Sequence, residues 1–288
     1  MAKKEVDHVS GTETTGHEWD GIKELNTPLP RWWLTVFYAC IAWAIGYWIL
    51  MPAWPMLHGY THGLLGYSQR VAVADALVEL KDQREKEAHG LDKASLAQIV
   101  ATPKLLEFAM AEGKSVFGDN CAPCHGPGAQ GARGYPNLND DDWLWGGTLA
   151  DIQHTITVGV RSTSPDTRQS QMPGFGRDQL LKPAQVDDLV EYVVHLSHRP
   201  ADAAAVARAK PLFETNCSAC HGPDGKGNRM FGAPNLTDSI WLYGPKRADI
   251  HDQIWNGHGG VMPTWAGRLS PETIKSLAVY VHSLGGGE

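Results

Sequence analysis

The chain has 288 residues, a formal net charge of −7 at pH 7 and 20% charged residues. This length allows about two domains of roughly 100–150 residues together with further elements. The acidic balance and the lack of clustered Lys and Arg argue against nucleic-acid binding, which depends on basic patches. No Walker loop, dinucleotide-binding fingerprint or Ser-His-Asp arrangement is found, so nucleotide-dependent and hydrolytic chemistry have no support.

An uncharged stretch, residues 32–57, follows an N-terminal segment, residues 1–31. About 20 apolar residues suffice to cross the hydrocarbon core of a membrane. Trp32 and Trp33 stand at its start and Trp54 near its end, where aromatic rings settle at the level of the lipid headgroups. A cleaved signal peptide is the alternative, but its apolar core is only about 7–15 residues long. We predict one permanent transmembrane helix in contact with membrane lipid.

The basic residues are distributed unequally around this stretch. Those before it are Lys3, Lys4, Lys23 and Arg31, whereas Arg70 is the only one in the first stretch after it. Because cytoplasmic flanks carry an excess of Lys and Arg, we expect the N-terminus in the cytoplasm and the following residues in the periplasm. Residues 58–100 would form a periplasmic helical stalk, with residues 68–90 as a helix capped by Ser68. Docking of its apolar face on a partner subunit is the alternative.

Two segments have the pattern Cys-x-x-Cys-His, and their residues are Cys121, Cys124 and His125, and Cys217, Cys220 and His221. In this pattern two thiols bond the two vinyl groups of one haem, and the adjacent histidine places an imidazole under the iron. A redox-active thiol pair or half of a zinc site would leave the adjacent histidine and the duplication unexplained. We therefore predict two covalently bound haem c groups, each containing iron.

The two motifs lie in a tandem repeat, which predicts cytochrome c domain 1 at residues 101–199 and domain 2 at residues 200–288. A small residue and an aromatic precede each motif, and Pro-Asn-Leu, a Trp and a Met-Pro pair follow it. Each repeat closes with an apolar stripe at i, i+3, i+4 and i+7, which indicates an amphipathic helix. These stripes are Leu189, Tyr192, Val193 and Leu196, and Leu277, Tyr280, Val281 and Leu284. Strand signals are nearly absent, so the predicted fold class is all-α.

The second axial ligand of each iron is open between Met, His and a vacant position. Met172 and Met262 occupy matching Met-Pro-x-aromatic positions, which favours them as ligands over ordinary core packing. Met230 has no counterpart in the first repeat, and we expect it to be a packing residue.

The proline after each motif offers a carbonyl that could orient the histidine. We expect Pro136 and Pro234 to accept the Nδ1 protons of His125 and His221, which would fix the imidazole rings.

Residues 17–33, His-Glu-Trp-Asp-Gly-Ile-Lys-Glu-Leu-Asn-Thr-Pro-Leu-Pro-Arg-Trp-Trp, resemble the dihaem cytochrome c subunit of bacterial cbb3-type cytochrome c oxidases, the FixP/CcoP family. The likeness covers nearly the whole chain: this segment, one span ending Tyr-Trp-Ile-Leu-Met-Pro-Ala-Trp-Pro, and two class I cytochrome c domains. It implies a single-pass subunit of the bacterial inner membrane that transfers electrons and is not an enzyme by itself. Some relatives carry an additional N-terminal span, whereas this chain has one.

The resemblance also implies partners and ligand sets. Electrons would come from a soluble or membrane-bound cytochrome c donor and pass to the monohaem cytochrome c subunit and then to the copper-haem catalytic subunit, which reduces oxygen and pumps protons. By matching positions, Met172 would join Cys121, Cys124 and His125 at the first haem. Met262 would join Cys217, Cys220 and His221 at the second. A dihaem cytochrome c peroxidase and the cytochrome subunit of a membrane dehydrogenase are the alternatives.

Overall fold

The computed structural model describes residues 5–88 and 90–287 of the chain. They fall into two compact units, with the division between Asp82 and Gln83. Helices dominate both, in agreement with the predicted all-α class.

The first unit begins with a two-stranded hairpin that the sequence analysis did not predict. Strand β1, Thr14–Trp19, pairs antiparallel with β2, Ile22–Leu25. The connecting residues Asp20 and Gly21 have φ values of 49° and 83°. Two consecutive positive φ values are typical of the tight turns that Asp-Gly favours in hairpins. The Asp-Gly pair was therefore the signal for this hairpin.

Helix α1, Arg31–Leu50, is 20 residues long, has a mean hydropathy of 1.6 and buries none of its residues. By length and composition it could cross a membrane. It ends before the predicted limit at residue 57, because the residue before a proline disfavours the helical conformation. Met51 precedes Pro52 and is extended, with φ −112° and ψ 160°. Two short strands follow, β3, Pro55–Met56, and β4, Gly59–Tyr60.

Helix α2, Gln69–Glu87, begins in the first unit and ends in the second. It buries none of its residues. The helix predicted over residues 68–90 is thus present with slightly different ends, although His89 lies outside the described residues.

The second unit contains nine helices among its described residues. They are α3 (Leu96–Ala101), α4 (Pro103–Asn120), α5 (Ala122–His125), α6 (Leu149–Val158), α7 (Pro183–Leu196), α8 (Ala203–Asn216), α9 (Ser218–His221), α10 (Arg247–Asn256) and α11 (Pro271–Ser283). Side-chain oxygens cap the first turns of four of them, through Ser95, Thr148, Asp202 and Ser270. Such caps satisfy amide groups that have no partner within the helix.

The closing helices are exchanged between the two repeats. Helix α4, which precedes the first Cys-x-x-Cys-His motif, packs against α11, and α8, which precedes the second, packs against α7. A Cβ atom at Gly113 of α4 would lie 2.5 Å from the Ser276 carbonyl oxygen and 2.6 Å from the Tyr280 Cβ of α11. The aromatic rings of Phe117 in α4 and Tyr280 in α11 are also in contact, with centroids 5.5 Å apart.

The short link between α7 and α8 gives a physical reason for this exchange. The link runs over residues 197–202, and helices joined by so few residues pack against each other as an antiparallel pair. Tyr192 and Phe213 meet across this pair with ring centroids 5.0 Å apart. Helix α11 then occupies the equivalent place against α4.

Two apolar cores contain the haem motifs, and a third cluster among the described residues comprises Leu91, Ile99, Leu105, Ala109 and Val279. The first core surrounds α4, α5, α6 and α11 and contains Phe117, Ala129, Ile152, Ile156, Ile274, Leu277, Ala278 and Val281. The second core surrounds α7, α8, α9 and α10 and contains Phe175, Val186, Leu189, Val190, Tyr192, Val193, Val194, Ala209, Phe213, Ile250 and Ile254. The predicted closing helices are confirmed, but the boundaries 101–199 and 200–288 do not delimit the cores. The second core is contiguous in sequence and is inserted into the first.

Candidate haem-binding sites

Each Cys-x-x-Cys-His motif forms one short helix, α5 or α9, directly after a long helix. In the first, the Cys121 amide donates to the Phe117 carbonyl at 2.8 Å, and the His125 amide donates to the Cys121 carbonyl at 2.9 Å. Gly126 then ends the helix with a φ of 82°. The second motif has the same bonds, and Gly222 ends it with a φ of 79°. The turn brings both thiols and the imidazole of each motif together, as the spacing predicts.

The two histidines are oriented by the predicted proline carbonyls. Nδ1 of His125 donates to the Pro136 carbonyl at 3.0 Å, and Nδ1 of His221 donates to the Pro234 carbonyl at 3.1 Å. Burial lowers the pKa of both histidines, so the rings are neutral at pH 7. A neutral imidazole with Nδ1 engaged presents Nε2 to a metal ion. The predicted bonds from the two histidines to the proline carbonyls are thus confirmed.

The cysteines differ in exposure within each motif. Cys121 and Cys217 are half-buried, whereas Cys124 and Cys220 are exposed, and all are free thiols. Burial, with a smaller contribution from the neighbouring cysteine, raises the pKa of Cys121 to about 11 and that of Cys217 to about 12. A redox-active thiol pair instead has a lowered pKa, so these two thiols do not have the character of such a pair.

Each of the two methionines packs in the core that contains the motif of the other repeat. Met172 packs against the second core, which also contacts Cys217, and Met262 packs against the first core, which also contacts Cys121. This packing differs from the pairing implied by the resemblance, which is Met172 with the first motif and Met262 with the second. Repeat symmetry could not reveal this, because the two Met-Pro segments are equivalent in sequence.

Backbone contacts hold each methionine segment at the end of a helix. The Val160 amide donates to the Met262 carbonyl at 3.0 Å and the Met262 amide returns a bond to Val160 at 2.9 Å. On the other side, a Cβ atom at Gly257 would lie 2.3 Å from the Met172 carbonyl oxygen. Only glycine allows so close an approach in this conformation, where φ is 63°. The end of α6 thus positions Met262, and the end of α10 positions Met172.

Met230 does not have the packing role that we expected. Its side chain is 80% exposed in the loop after the second motif. An isolated bridge between Asn228 and Ala233 closes the short loop that contains Met230. Met230 therefore contributes to neither core.

The residues in each core fit a covalently bound haem c group. Two thiols and a neutral imidazole on one helical turn would provide the attachment and one iron ligand, and the methionine that packs in the same core would provide a second. Trp143 lines the first core and Trp241 the second, among aliphatic side chains. Across residues 5–88 and 90–287, no cluster of three or more His, Cys, Asp or Glu side chains could hold a metal ion by itself.

Comparisons with known proteins identify the same parts. Residues 11–58 match the family described as the N-terminal domain of cytochrome oxidase-cbb3, FixP. Residues 110–197 match the cytochrome c family, and residues 204–281 match cytochrome c oxidase, cbb3-type, subunit III. These matches follow the sequence repeats and not the two cores.

Whole-length relatives decide the family. The chain is 59% identical to a cbb3-type cytochrome c oxidase subunit FixP of Bradyrhizobium sp. (strain ORS 278), covering 99% of this chain and 98% of that protein. It is 50% identical to a subunit CcoP of Azospirillum brasilense, with 100% of both chains covered. The chain belongs to the FixP/CcoP family. A FixP/CcoP subunit with two cytochrome c domains contains two covalently bound haem c groups, and its role is electron relay in the oxidase.

Family membership also bears on location and association. As a FixP/CcoP subunit, the chain is part of a membrane oxidase complex, and helix α1 fits a membrane anchor.

Proposed function

We propose that this subunit accepts electrons from a soluble or membrane-bound cytochrome c donor. It passes them to the monohaem cytochrome c subunit and through it to the copper-haem catalytic subunit, where oxygen is reduced and protons are pumped. The observation that carries this proposal is the presence of two Cys-x-x-Cys-His motifs in one compact unit, each with its histidine bonded to a proline carbonyl and a methionine packed in the same core. Two cores in one chain suit a relay between a donor and an acceptor.

The protein's own residues prepare each core for this role. Haem c, when bound, supplies an iron that gains and loses one electron. His125 and His221 are held in one orientation by proline carbonyls, so little rearrangement accompanies a change of charge. A methionine sulfur bound to the iron would favour the reduced state and leave no open position for a substrate, which suits electron transfer over substrate activation.

The ligand sets that we propose follow the cores and not the repeats. Cys121, Cys124 and His125 are joined by Met262, and Cys217, Cys220 and His221 are joined by Met172. The test uses variants that attach a single haem. With Cys217 and Cys220 replaced by Ala, Met262→Ala is expected to abolish the absorption band of a methionine–iron bond, whereas Met172→Ala leaves it unchanged. The opposite result would restore the pairing within each repeat.

The proposed role is tested on the complex purified from membranes through a tag on this chain. We expect two equivalents of haem c per chain in a pyridine haemochrome assay, a copper-haem core among the copurified subunits, and oxygen uptake driven by reduced cytochrome c. Copurification with a quinoprotein or flavoprotein instead would indicate a dehydrogenase subunit. Rapid binding of carbon monoxide or peroxide to the isolated reduced chain would indicate a peroxidase.

We also propose that the N-terminus lies in the cytoplasm and the haem-binding cores in the periplasm, in the bacterial inner membrane. The basic residues before α1 support this orientation. In spheroplasts, added protease should degrade the second unit and spare a tag at the N-terminus. Protection of the second unit would contradict the proposal.

A further inference from the structure

Arg161 binds the two methionine segments at once. Its Nε donates to the Gly260 carbonyl at 2.6 Å, and its Nη1 donates to the Ser170 carbonyl at 2.6 Å. Gly260 stands two residues before Met262, and Ser170 stands two residues before Met172. One planar guanidinium group therefore holds both segments at corresponding positions, which a fixed fork of donors can do.

The backbone at Arg161 is unusual. Its φ of 51° lies in the left-handed region, which is rare for a residue with a long side chain. Such a conformation persists only where surrounding contacts enforce it, and it is common at functional sites. The adjacent Val160 carries both backbone bonds to Met262, so the conformation is fixed next to a proposed ligand.

The arrangement is asymmetric although the sequence is repeated. The ends of α6 and α10 align through Gly159 and Gly257, which places Gly259 opposite Arg161. A Cβ atom at Gly259 would lie 3.0 Å from the Arg161 Nε. Gly259 of the second repeat thus leaves space for the Arg161 side chain, which comes from the first repeat. This one arginine contacts both methionine segments.

The charge of Arg161 has no carboxylate partner within the part of the chain that the structure describes. The side chain is half-buried, and its polar contacts there are to the two carbonyl groups. An arginine remains charged even where burial lowers its pKa, as it does here. A positive charge screened by little water favours the state of a nearby redox centre that carries one more electron.

We propose that Arg161 is a positioning residue for both axial methionines, so that one guanidinium group jointly sets sulfur placement and electron affinity at the two haem centres. This inference rests on the proposed function, because it requires Met172 and Met262 to be iron ligands. The inference goes beyond the proposed function because it predicts that both haem centres respond to one substitution.

The test compares Arg161→Gln and Arg161→Lys with wild type in the purified holo-complex. In Arg161→Gln we expect weaker methionine–iron absorption bands at both centres. The midpoint potentials of both should fall by the equivalent of about a tenfold change in electron affinity, about 59 mV. Arg161→Lys keeps the positive charge but lacks the planar pair of N–H donors. Its midpoint potentials should therefore lie closer to the wild-type values than its band intensities do.

Arg133→Gln is the matched control. Arg133 also links the two repeats, through a bond of its Nη2 to Asp249 at 2.8 Å, but its side chain is exposed, is paired with a carboxylate and touches neither methionine segment. The Arg133→Gln variant should keep the methionine–iron bands of both centres at wild-type intensity. If it weakened both bands as much as Arg161→Gln does, the effect would be one of general stability and the inference would be wrong.

A change confined to one centre, or no change in Arg161→Gln, would also overturn the inference. If Arg161→Gln did not accumulate, the methionine–iron bands of Arg161→Lys would decide: weaker bands at both centres would support the inference, and unchanged bands or a change at one centre would overturn it. Failure of the proposed ligands has a different signature, because the bands would then survive in Met172→Ala and Met262→Ala while haem content remained normal.

Discussion

Gly113 marks a close approach of α4 to α11. A methyl group there would lie 2.5 Å from a backbone oxygen of α11, so the two helices would have to separate. We expect Gly113→Ala to lower the free energy of unfolding by about 1–3 kcal/mol through overpacking. Urea unfolding of the second unit measures this change.

Gly118 provides the control for this prediction within the same helix. A Cβ atom there meets nothing within 4 Å. Gly118→Ala should raise the free energy of unfolding by about 0.5–1 kcal/mol, because alanine is the better helix former. Equal effects at the two positions would show that α11 does not lie against Gly113.

Asp142 is the residue for which we predict a pH dependence. Burial, and the nearby carboxylates of Asp238 and Asp140, raise its pKa to about 6, and Arg229 partly opposes the shift. Because an unfolded Asp has a pKa of about 3.9, the folded state binds the proton more tightly. The stabilisation is present below about pH 4 and is lost as the pH rises through about 6.

Asp142→Asn should therefore increase the free energy of unfolding at pH 8 and not at pH 4. With a discount for partial exposure, we expect a gain of about 1–2 kcal/mol. Urea unfolding at the two pH values tests this, with the exposed neighbour Asp141→Asn as control. A gain at pH 4 as large as at pH 8 would contradict the assignment of the effect to the ionised Asp142.

At the scale of elements, the exchange of closing helices decides which haem a core substitution affects. Leu189 of α7 and Leu277 of α11 occupy equivalent positions in the two repeats, and their side chains are 1% and 0% exposed. Yet Leu189 lies in the second core and Leu277 in the first. A sequence alignment alone would assign them to the opposite haems.

We expect Leu277→Ala to disturb the haem at His125 and Leu189→Ala to disturb the haem at His221. Each should also lower the free energy of unfolding by about 2–5 kcal/mol, as is usual when a buried leucine is truncated. The absorption spectra of variants that attach only one haem distinguish the two sites. A disturbance of the haem in the same repeat as the substitution would argue against the exchange.

At the scale of the whole molecule, one core is inserted into the other. The second core runs from the Met172 segment through α7, α8, α9 and α10 to Gly257 and uses no element outside this range. The first core needs segments from both sides of it. The second core thus has the elements of a cytochrome c domain in permuted order.

A fragment of residues 170–257, exported to the periplasm with a signal peptide, should fold and attach one haem with a methionine ligand. A fragment of residues 200–288 has a similar length and contains the whole second repeat, but it lacks Met172 and α7. It should give a less stable product. Haem content, the methionine–iron band and thermal unfolding compare the two fragments, and greater stability of residues 200–288 would contradict the permuted arrangement.

The sequence by itself determined the features that depend on short separations along the chain. The two Cys-x-x-Cys-His turns, the bonds from His125 to Pro136 and from His221 to Pro234, and the faces of the amphipathic helices all follow from local spacing. The apolar stretch around α1 was equally clear, although its helix ends at Leu50 because of Pro52. The hairpin at Asp20 and Gly21 was missed despite its turn signal.

Only the tertiary structure decided which methionine segment and which closing helix pack in the core of which motif. The two repeats offer chemically equivalent candidates, so the local pattern has no preference between them. The choice depends on the short link that pairs α7 with α8 and on the contact of α11 with Gly113. The bridging contacts of Arg161 likewise exist only once both methionine segments have been brought together.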